Sequence, residues 1–166
     1  MQIRCIRGLS RFTNTQKSTS KIMKTKRPRG LRNCNPGNIR KNEIVYQGEV
    51  VPSRDNDFKQ FTTMAYGYRA VFVVLYTYQK RYGINTIASM ISRYAPACEN
   101  HTKAYIEAVS DYSGVPATSH ITTTNRDIMI PIVAAMSRVE NGETAVMSEV
   151  EAGWKMFITD YRNHLV

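Results

Sequence analysis

At 166 residues the chain is long enough for one domain with a proper core and too short for two. It contains 42% hydrophobic residues and ten tyrosines. No run approaches the roughly 20 apolar residues that a bilayer-spanning helix needs. The composition therefore predicts a single soluble, globular domain and excludes a membrane span.

The net charge of +10 comes entirely from the N-terminal segment. Residues 1–32 carry ten of the 23 Lys and Arg and none of the 13 acids, so 13 bases face 13 acids over residues 33–166. DNA-binding modules normally carry a basic face of their own, and this neutral body does not predict one. We expect a basic tail over residues 1–29, disordered or touching an acidic polymer, before one domain over 30–166.

The tail shows no secretory signal, because arginines interrupt its short apolar stretch. Met23 begins the run MKTKRPRG, so Met1 and Met23 are alternative starts of translation. The three cysteines are odd in number and unrelated in spacing, and none lies at a zinc-finger interval, so we expect free thiols and no metal site or cofactor. They are Cys5, Cys34 and Cys98.

Turn residues dominate positions 29–39, which predicts a loop of fixed shape at the start of the domain. Residues 45–51 and 58–61 then read as two short strands, which predicts a small hairpin. Apolar residues recur at three- and four-residue intervals beyond Gly67, which predicts about five helices. These cover residues 67–82, 84–94, 99–113, 128–139 and 146–161. The predicted fold class is mainly α (α+β), and Pro131 must sit in a first turn or kink its helix.

Residues 29–39 read RGLRNCNPGNI, followed by YQG at 46–48, FKQF at 58–61, YGYRA at 66–70 and RYAP at 93–96. In this order the motifs resemble a family of phage and prophage proteins that open with R-G-x-R-N-x-N-P-G-N-I. Members are described as structural proteins or lysozyme-like hydrolases. The resemblance implies a lysozyme-like helical domain of phage origin.

A second resemblance, to bacterial glucosaminidases and lytic transglycosylases, implies the site. Residues 134–142, AAMSRVENG, are similar to the helix end that holds the catalytic glutamate of those enzymes. Their asparagine-rich loop and aromatic strand follow that helix, whereas the similar segments precede it here, which implies a circular permutation with Glu140 as the catalytic acid. The E-N-x-T-x-x-Y run at 99–105 is similar to a transglycosylase element whose tyrosine lies near the acid. The implied catalytic residues are Glu140 and Tyr105, and the implied substrate-binding residues are Asn33, Asn35, Asn38, Tyr46, Gln47, Glu99 and Thr102.

The residue types fit this chemistry. Cleaving a glycosidic bond requires an acid whose pKa is raised by apolar surroundings, and Glu140 follows an apolar helical face before Asn141 and Gly142 end the helix. Positive charge at the anomeric carbon is met by a second carboxylate or by the substrate's own acetamido or hydroxyl group. The candidates for a second carboxylate are Asp55, Asp57 and Glu143. The alternatives stay open: Glu140 as an exposed helix-end acid, Tyr105 as a core residue, and the asparagines as loop-shaping residues.

The predicted function is cleavage of peptidoglycan glycan strands by a phage or prophage protein of muramidase, glucosaminidase or lytic transglycosylase type. We expect peptidoglycan and other virion proteins as partners, and nucleic acid only through the 1–29 tail. The expected location is the virion, or the host cytoplasm before the protein reaches the wall. The alternative is a non-catalytic virion structural or wall-binding protein.

Overall fold

The computed structural model describes residues 27–96 and 99–163, without the side chains of residues 99, 100, 162 and 163. Most of the predicted tail, Cys5, Cys98 and the side chain of Glu99 lie outside the described residues. Those residues form six helices: α1 Arg29–Arg32, α2 Met64–Tyr82, α3 Ile87–Tyr94, α4 Glu99–Ser113, α5 Arg126–Asn141 and α6 Met147–Asn163. The prediction of a mainly helical fold is confirmed. None of these helices is both long and apolar enough to cross a membrane.

The centre of the fold is the pair formed by α2 and α6. Phe72 of α2 meets Trp154 of α6 edge to face, with ring centroids 5.1 Å apart, and stacks on Phe157 at 5.9 Å. Gly153 lets the two backbones approach, since a Cβ there would lie 2.9 Å from the backbone nitrogen of Arg69. Trp154 is only 4% exposed, as expected for the one tryptophan on the apolar side of the last helix.

The helix ends follow local capping chemistry. Thr86 begins α3 with a capping box to Ser89, and α2 ends at Gly83, whose left-handed φ of 66° closes the last turn. Asn125 caps α5, which ends at Gly142 with φ of 71°. Pro131 lies inside α5 beyond its first turn, so the missing N–H leaves one carbonyl of the helix without its usual partner.

The predicted hairpin is wrong. In the described residues the 58–61 segment makes two isolated antiparallel bridges, Arg40 with Phe58 and Glu49 with Phe61. Its partners lie on both sides, because the Lys59 N–H donates to the Ile39 carbonyl at 2.9 Å and the Val50 N–H donates to the Gln60 carbonyl at 2.8 Å. No two strands therefore pair over their full length.

A buried ion pair holds the irregular region between α1 and α2 together. The Lys59 side chain is 1% exposed, and its ammonium donates to Glu49 Oε1 at 2.8 Å and to the Ile44 carbonyl at 2.7 Å. Burying an ammonium requires this pairing, because an unpaired charge in the interior is strongly unfavourable. The pair fixes the loop that approaches the cleft described below.

The boundary predicted at residue 29 shifts by one position. Arg29 begins α1, and its guanidinium donates to both carboxylate oxygens of Asp55 at 2.7 and 2.6 Å. Asp55 also accepts a hydrogen bond from the Asn33 amide at 2.8 Å. Arg29 therefore belongs to the folded domain, because this bidentate pair ties it to the loop before α2.

Candidate active site

The asparagine-rich loop at 33–39 is closed by one fully buried side chain. The Asn35 amide nitrogen donates to the carbonyls of Ile39 and Lys59, both at 2.9 Å, and its oxygen accepts from the Ile39 N–H at 2.9 Å. Cys34 and Asn38 adopt left-handed backbone conformations with φ of 49°. The side chain of Asn35 thus replaces the regular backbone pairing that this loop lacks.

Two glycines let the loop press against the helices beneath it. A Cβ on Gly67 of α2 would lie 2.0 Å from the Cys34 carbonyl oxygen. A Cβ on Gly37 would lie 2.3 Å from the hydroxyl of Tyr94, which donates to the Gly37 carbonyl at 2.5 Å. These contacts leave no room for a side chain at either position and hold the loop in one place.

The C-terminal end of α5 is joined to the same loop by Asn141. The buried amide nitrogen of Asn141 donates to the carbonyls of Pro36 and Ser137 at 2.8 and 2.9 Å. This bond spans 105 positions of sequence and fixes the last turn of α5 beside the loop. Glu140, the residue before Asn141, is thereby brought to the loop.

Both oxygens of the Glu140 carboxyl group accept a hydrogen bond. The Tyr105 hydroxyl of α4 donates to Oε1 at 2.9 Å, and the Asn38 amide nitrogen donates to Oε2 at 2.9 Å. The predicted proximity of Glu140 to the 33–39 loop and to Tyr105 is confirmed. The catalytic roles of these residues stay predictions.

Burial decides the protonation of this cluster. Removal from water raises the pKa of the half-buried Glu140 carboxyl, and the hydrogen bonds from Asn38 and Tyr105 lower it by less. Burial first, and the neighbouring Glu140 charge second, raise the pKa of Tyr94 and Tyr105 well above the ordinary tyrosine value. The two tyrosines are therefore neutral at physiological pH, and the carboxyl group is the titratable acid of the cluster.

The cluster opens into a cavity of about 990 Å³. Its walls come from the loop segment 37–46, the second half of α2, the end of α3 and the first turns of α4. Among the residues described, Glu140 is the one acid in the lining, whereas four arginines line it: Arg29, Arg40, Arg81 and Arg93. The cleft is large enough for a ligand of several rings and carries a positive rim.

Nine residues were implied by the resemblance; the side chain of Glu99 is not described, and the other eight divide into two groups. Those that line the cavity are Asn38, Tyr46, Thr102, Tyr105 and Glu140. Three others do not line it: Asn33, Asn35 and Gln47. Asn33 binds Asp55, Asn35 is 0% exposed, and Gln47 points to solvent outside the cleft.

No second carboxylate faces Glu140 across the cleft in the described residues. Asp55 is held by Arg29 and Asn33, and the hydrogen bond from Arg29 is the main cause that lowers its pKa far below the ordinary value. Asp57 contacts Arg29 at 3.0 Å, and Glu143 is exposed beyond the end of α5. In the described part of the chain no three His, Cys, Asp or Glu side chains are grouped to hold a metal ion.

Several residues of the site were missed at the level of sequence. Tyr94 and Asn141 fix the loop, and Arg40, Arg81 and Arg93 line the cleft. Tyr94 lies in the RYAP motif and Asn141 directly follows Glu140, so both stood beside residues already singled out. Arg40 directly follows the 29–39 motif and Arg93 opens the RYAP motif, but no local pattern indicates that these two and Arg81, on three separate segments, line one cleft.

Comparison with known proteins identifies a related bacteriophage protein. No protein-family model matches the chain. Protein P5 of Pseudoalteromonas phage PM2 is 34% identical over 131 residues, which cover 76% of this chain and 80% of Protein P5. The chain therefore belongs to the family of this bacteriophage protein.

Proposed function

We propose that this protein cleaves the glycan strands of peptidoglycan, with Glu140 as the general acid. The observation that carries the proposal is the placement of this carboxyl group. It is the single acid described in the lining of a large cleft, burial raises its pKa, and donors from two separate segments fix both of its oxygens.

A structural role explains this arrangement less well. A half-buried carboxyl group costs free energy on ionisation, whereas a neutral glutamine would accept from Asn38 with its oxygen and donate to the Tyr105 hydroxyl oxygen with its amide. Asn38 and Tyr105 both donate, so they hold the side chain in one orientation whether it is ionised or not. Such fixed positioning is what proton delivery to one bond requires.

In the proposed first step, protonated Glu140 transfers its proton to the oxygen of the glycosidic bond as the C1–O bond breaks. The leaving sugar departs with that proton as a hydroxyl group, and Glu140 is left as a carboxylate stabilised by the hydroxyl of Tyr105 and the amide of Asn38. The positive charge that develops at C1 needs a partner. Because no second carboxylate is described in the cleft lining, we assign this role to the acetamido oxygen of the sugar itself, which bonds to C1.

In the second step, Glu140 acts as a base. A hydroxyl group attacks C1, the bond to the acetamido oxygen breaks, and the proton of the attacking group passes to Glu140, which regenerates the acid. Attack by water gives hydrolysis, and attack by the C6 hydroxyl of the same sugar gives an anhydro product. We place this activity at the host cell wall, reached from the virion at entry or from the host cytoplasm at lysis.

The test uses the full chain and purified peptidoglycan sacculi. Cleavage is followed by loss of turbidity, and soluble products are identified by mass spectrometry, including anhydro ends. Glu140→Gln is expected to lower the rate by at least about a thousandfold, as removal of an acid in direct contact with the reacting bond does.

Glu143→Gln is the matched control, because this acid lies three positions further on and is exposed outside the cleft. It is expected to cleave at the wild-type rate with an unchanged melting temperature. Sacculi that stay intact with the folded wild-type protein, or that are cleaved equally by Glu140→Gln, would overturn the proposal in favour of a non-catalytic virion or wall-binding protein.

A further inference from the structure

Three arginines of the cleft have no acidic partner. Within the described residues no carboxylate lies within salt-bridge distance of Arg40, Arg81 or Arg93, whereas Arg29 is paired with Asp55 and Asp57. Guanidinium groups stay charged at all physiological pH values. The cleft therefore holds three uncompensated positive charges in a domain whose residues 33–166 are balanced overall.

Two of these arginines are oriented by aromatic rings. The Arg93 guanidinium lies 3.6 Å from the ring centroid of Tyr82 and 5.2 Å from that of Tyr78. The Arg40 guanidinium lies 5.1 Å from the ring of Phe58. A guanidinium held over a ring still has N–H groups to donate to a ligand, and a carboxylate can accept two parallel hydrogen bonds from them.

The ring contacts also argue against single-stranded nucleic acid as the occupant. Proteins that bind single strands stack bases on open aromatic faces. Here the ring faces of Tyr78, Tyr82 and Phe58 that meet a guanidinium are already covered. Tyr82 is 53% exposed, but the guanidinium groups beside these rings add hydrogen-bond donors with a full charge, which match an acidic substituent better than a base.

We propose that Arg40, Arg81 and Arg93 bind the carboxylate groups attached to a glycan strand, so that the cleft selects an acid-substituted amino-sugar polymer over a neutral one. This inference rests on the proposed cleavage of peptidoglycan, in which every second sugar bears either a peptide with free carboxylates or, where the peptide is absent, the free carboxylate of its lactyl group. It makes the arginines specificity residues that position the strand against Glu140.

The experiment measures binding, so that it does not depend on turnover. Full-length Glu140→Gln protein is mixed with sacculi, either native or with their carboxyl groups converted to neutral amides by a carbodiimide and an amine. Amidation is expected to weaken binding at least about tenfold, with most of the loss at low salt, because charge-assisted bonds are removed. A soluble neutral N-acetylglucosamine oligomer is expected to bind as weakly as amidated sacculi.

Arg93→Gln is expected to weaken binding to native sacculi about tenfold and to leave binding to amidated sacculi unchanged. Arg138→Gln is the matched control, since Arg138 stacks on Tyr112 at 4.0 Å in the same manner but outside the cleft. It should bind like its parent. The melting temperatures of both variants show whether the fold is retained. If Arg93→Gln does not fold, Arg81→Gln repeats the test, because Arg81 is exposed and contacts no ring described here.

Three results would overturn the inference. The first is equal binding to native and amidated sacculi, and the second is a loss of binding in Arg138→Gln as large as that in Arg93→Gln. The third result is displacement of the sacculi by a single-stranded oligonucleotide whose own binding depends on Arg93. The two proposals fail separately. Wild-type protein that cleaves sacculi without regard to amidation removes the arginine assignment alone. Protein that binds native sacculi through Arg93 but never cleaves them removes the catalytic assignment alone.

Discussion

Replacing Tyr105 with Phe tests the hydrogen bond that the cluster gives to Glu140. The substitution keeps the ring in its buried place and removes one of two donors to the carboxyl group. A hydrogen bond to a charged group contributes about 1.5–3 kcal/mol, and about 1.4 kcal/mol corresponds to one pKa unit. Because this donor favours the ionised form, its removal is expected to raise the pKa of Glu140 further.

The measurement is an NMR titration of the protein with carboxyl-labelled glutamate, in which Glu140→Gln identifies the resonance of Glu140. Tyr112→Phe is the control, because this exposed tyrosine lies two turns further along α4 and its loss should leave the titration unchanged. Two results would refute the reasoning. One is a wild-type Glu140 that titrates like a free glutamate, and the other is an identical pKa in Tyr105→Phe and wild-type protein.

The raised pKa of Glu140 also makes the stability of the folded protein depend on pH. A group whose pKa is higher in the folded than in the unfolded protein contributes stability below its unfolded pKa, and this contribution is lost as the pH rises through the folded value. Glu140→Gln removes that loss. The melting temperature of the variant should therefore exceed that of the wild type by a margin that grows from acidic to neutral pH.

Three further substitutions test how the loops are held, each by urea denaturation. Gly67→Ala should lower the free energy of unfolding by about 3 kcal/mol or more, because the new Cβ meets the Cys34 carbonyl. Gly83→Ala should lower it by about 1 kcal/mol, since only the positive φ is strained there. Glu49→Leu should cost about 3–5 kcal/mol by leaving the buried Lys59 ammonium unpaired, and adding Lys59→Met should recover most of this loss. Asp55→Asn should cost about 1–3 kcal/mol at neutral pH, and because the folded pKa of Asp55 is lowered, the difference should shrink as acid protonates the wild-type carboxylate.

The sequence was sufficient for the helices because their signals are local. Apolar spacing of three and four residues places each long helix, and Thr86, Gly83 and Gly142 mark ends that the structure confirms within a few residues. The approach of Glu140 to the asparagine loop was also predictable, although through a resemblance and not through spacing. No rule of local propensity joins two residues 102 positions apart.

The irregular region could not be predicted because its partners are chosen by tertiary contacts. Residues 58–61 have the alternation of a hairpin strand, but their backbone is shared between neighbours on both sides. Asn33, Asn35 and Asn38 are chemically identical and lie within six positions, yet one binds an acid, one closes the loop and one reaches Glu140. The packing of the loop against α2 and α5 decides which partner each asparagine binds.

The bond from the Asn141 side chain to the Pro36 carbonyl makes the loop and the last turn of α5 a cooperative unit. If the loop detaches, this bond and the one from Asn38 to Glu140 break together, so both segments share a single opening free energy and their amide protons should exchange with solvent at matching rates. In the open molecules Glu140 is returned to water and behaves as an ordinary carboxyl group, ionised near neutral pH. Only molecules in which the loop is closed therefore hold Glu140 in the surroundings that raise its pKa.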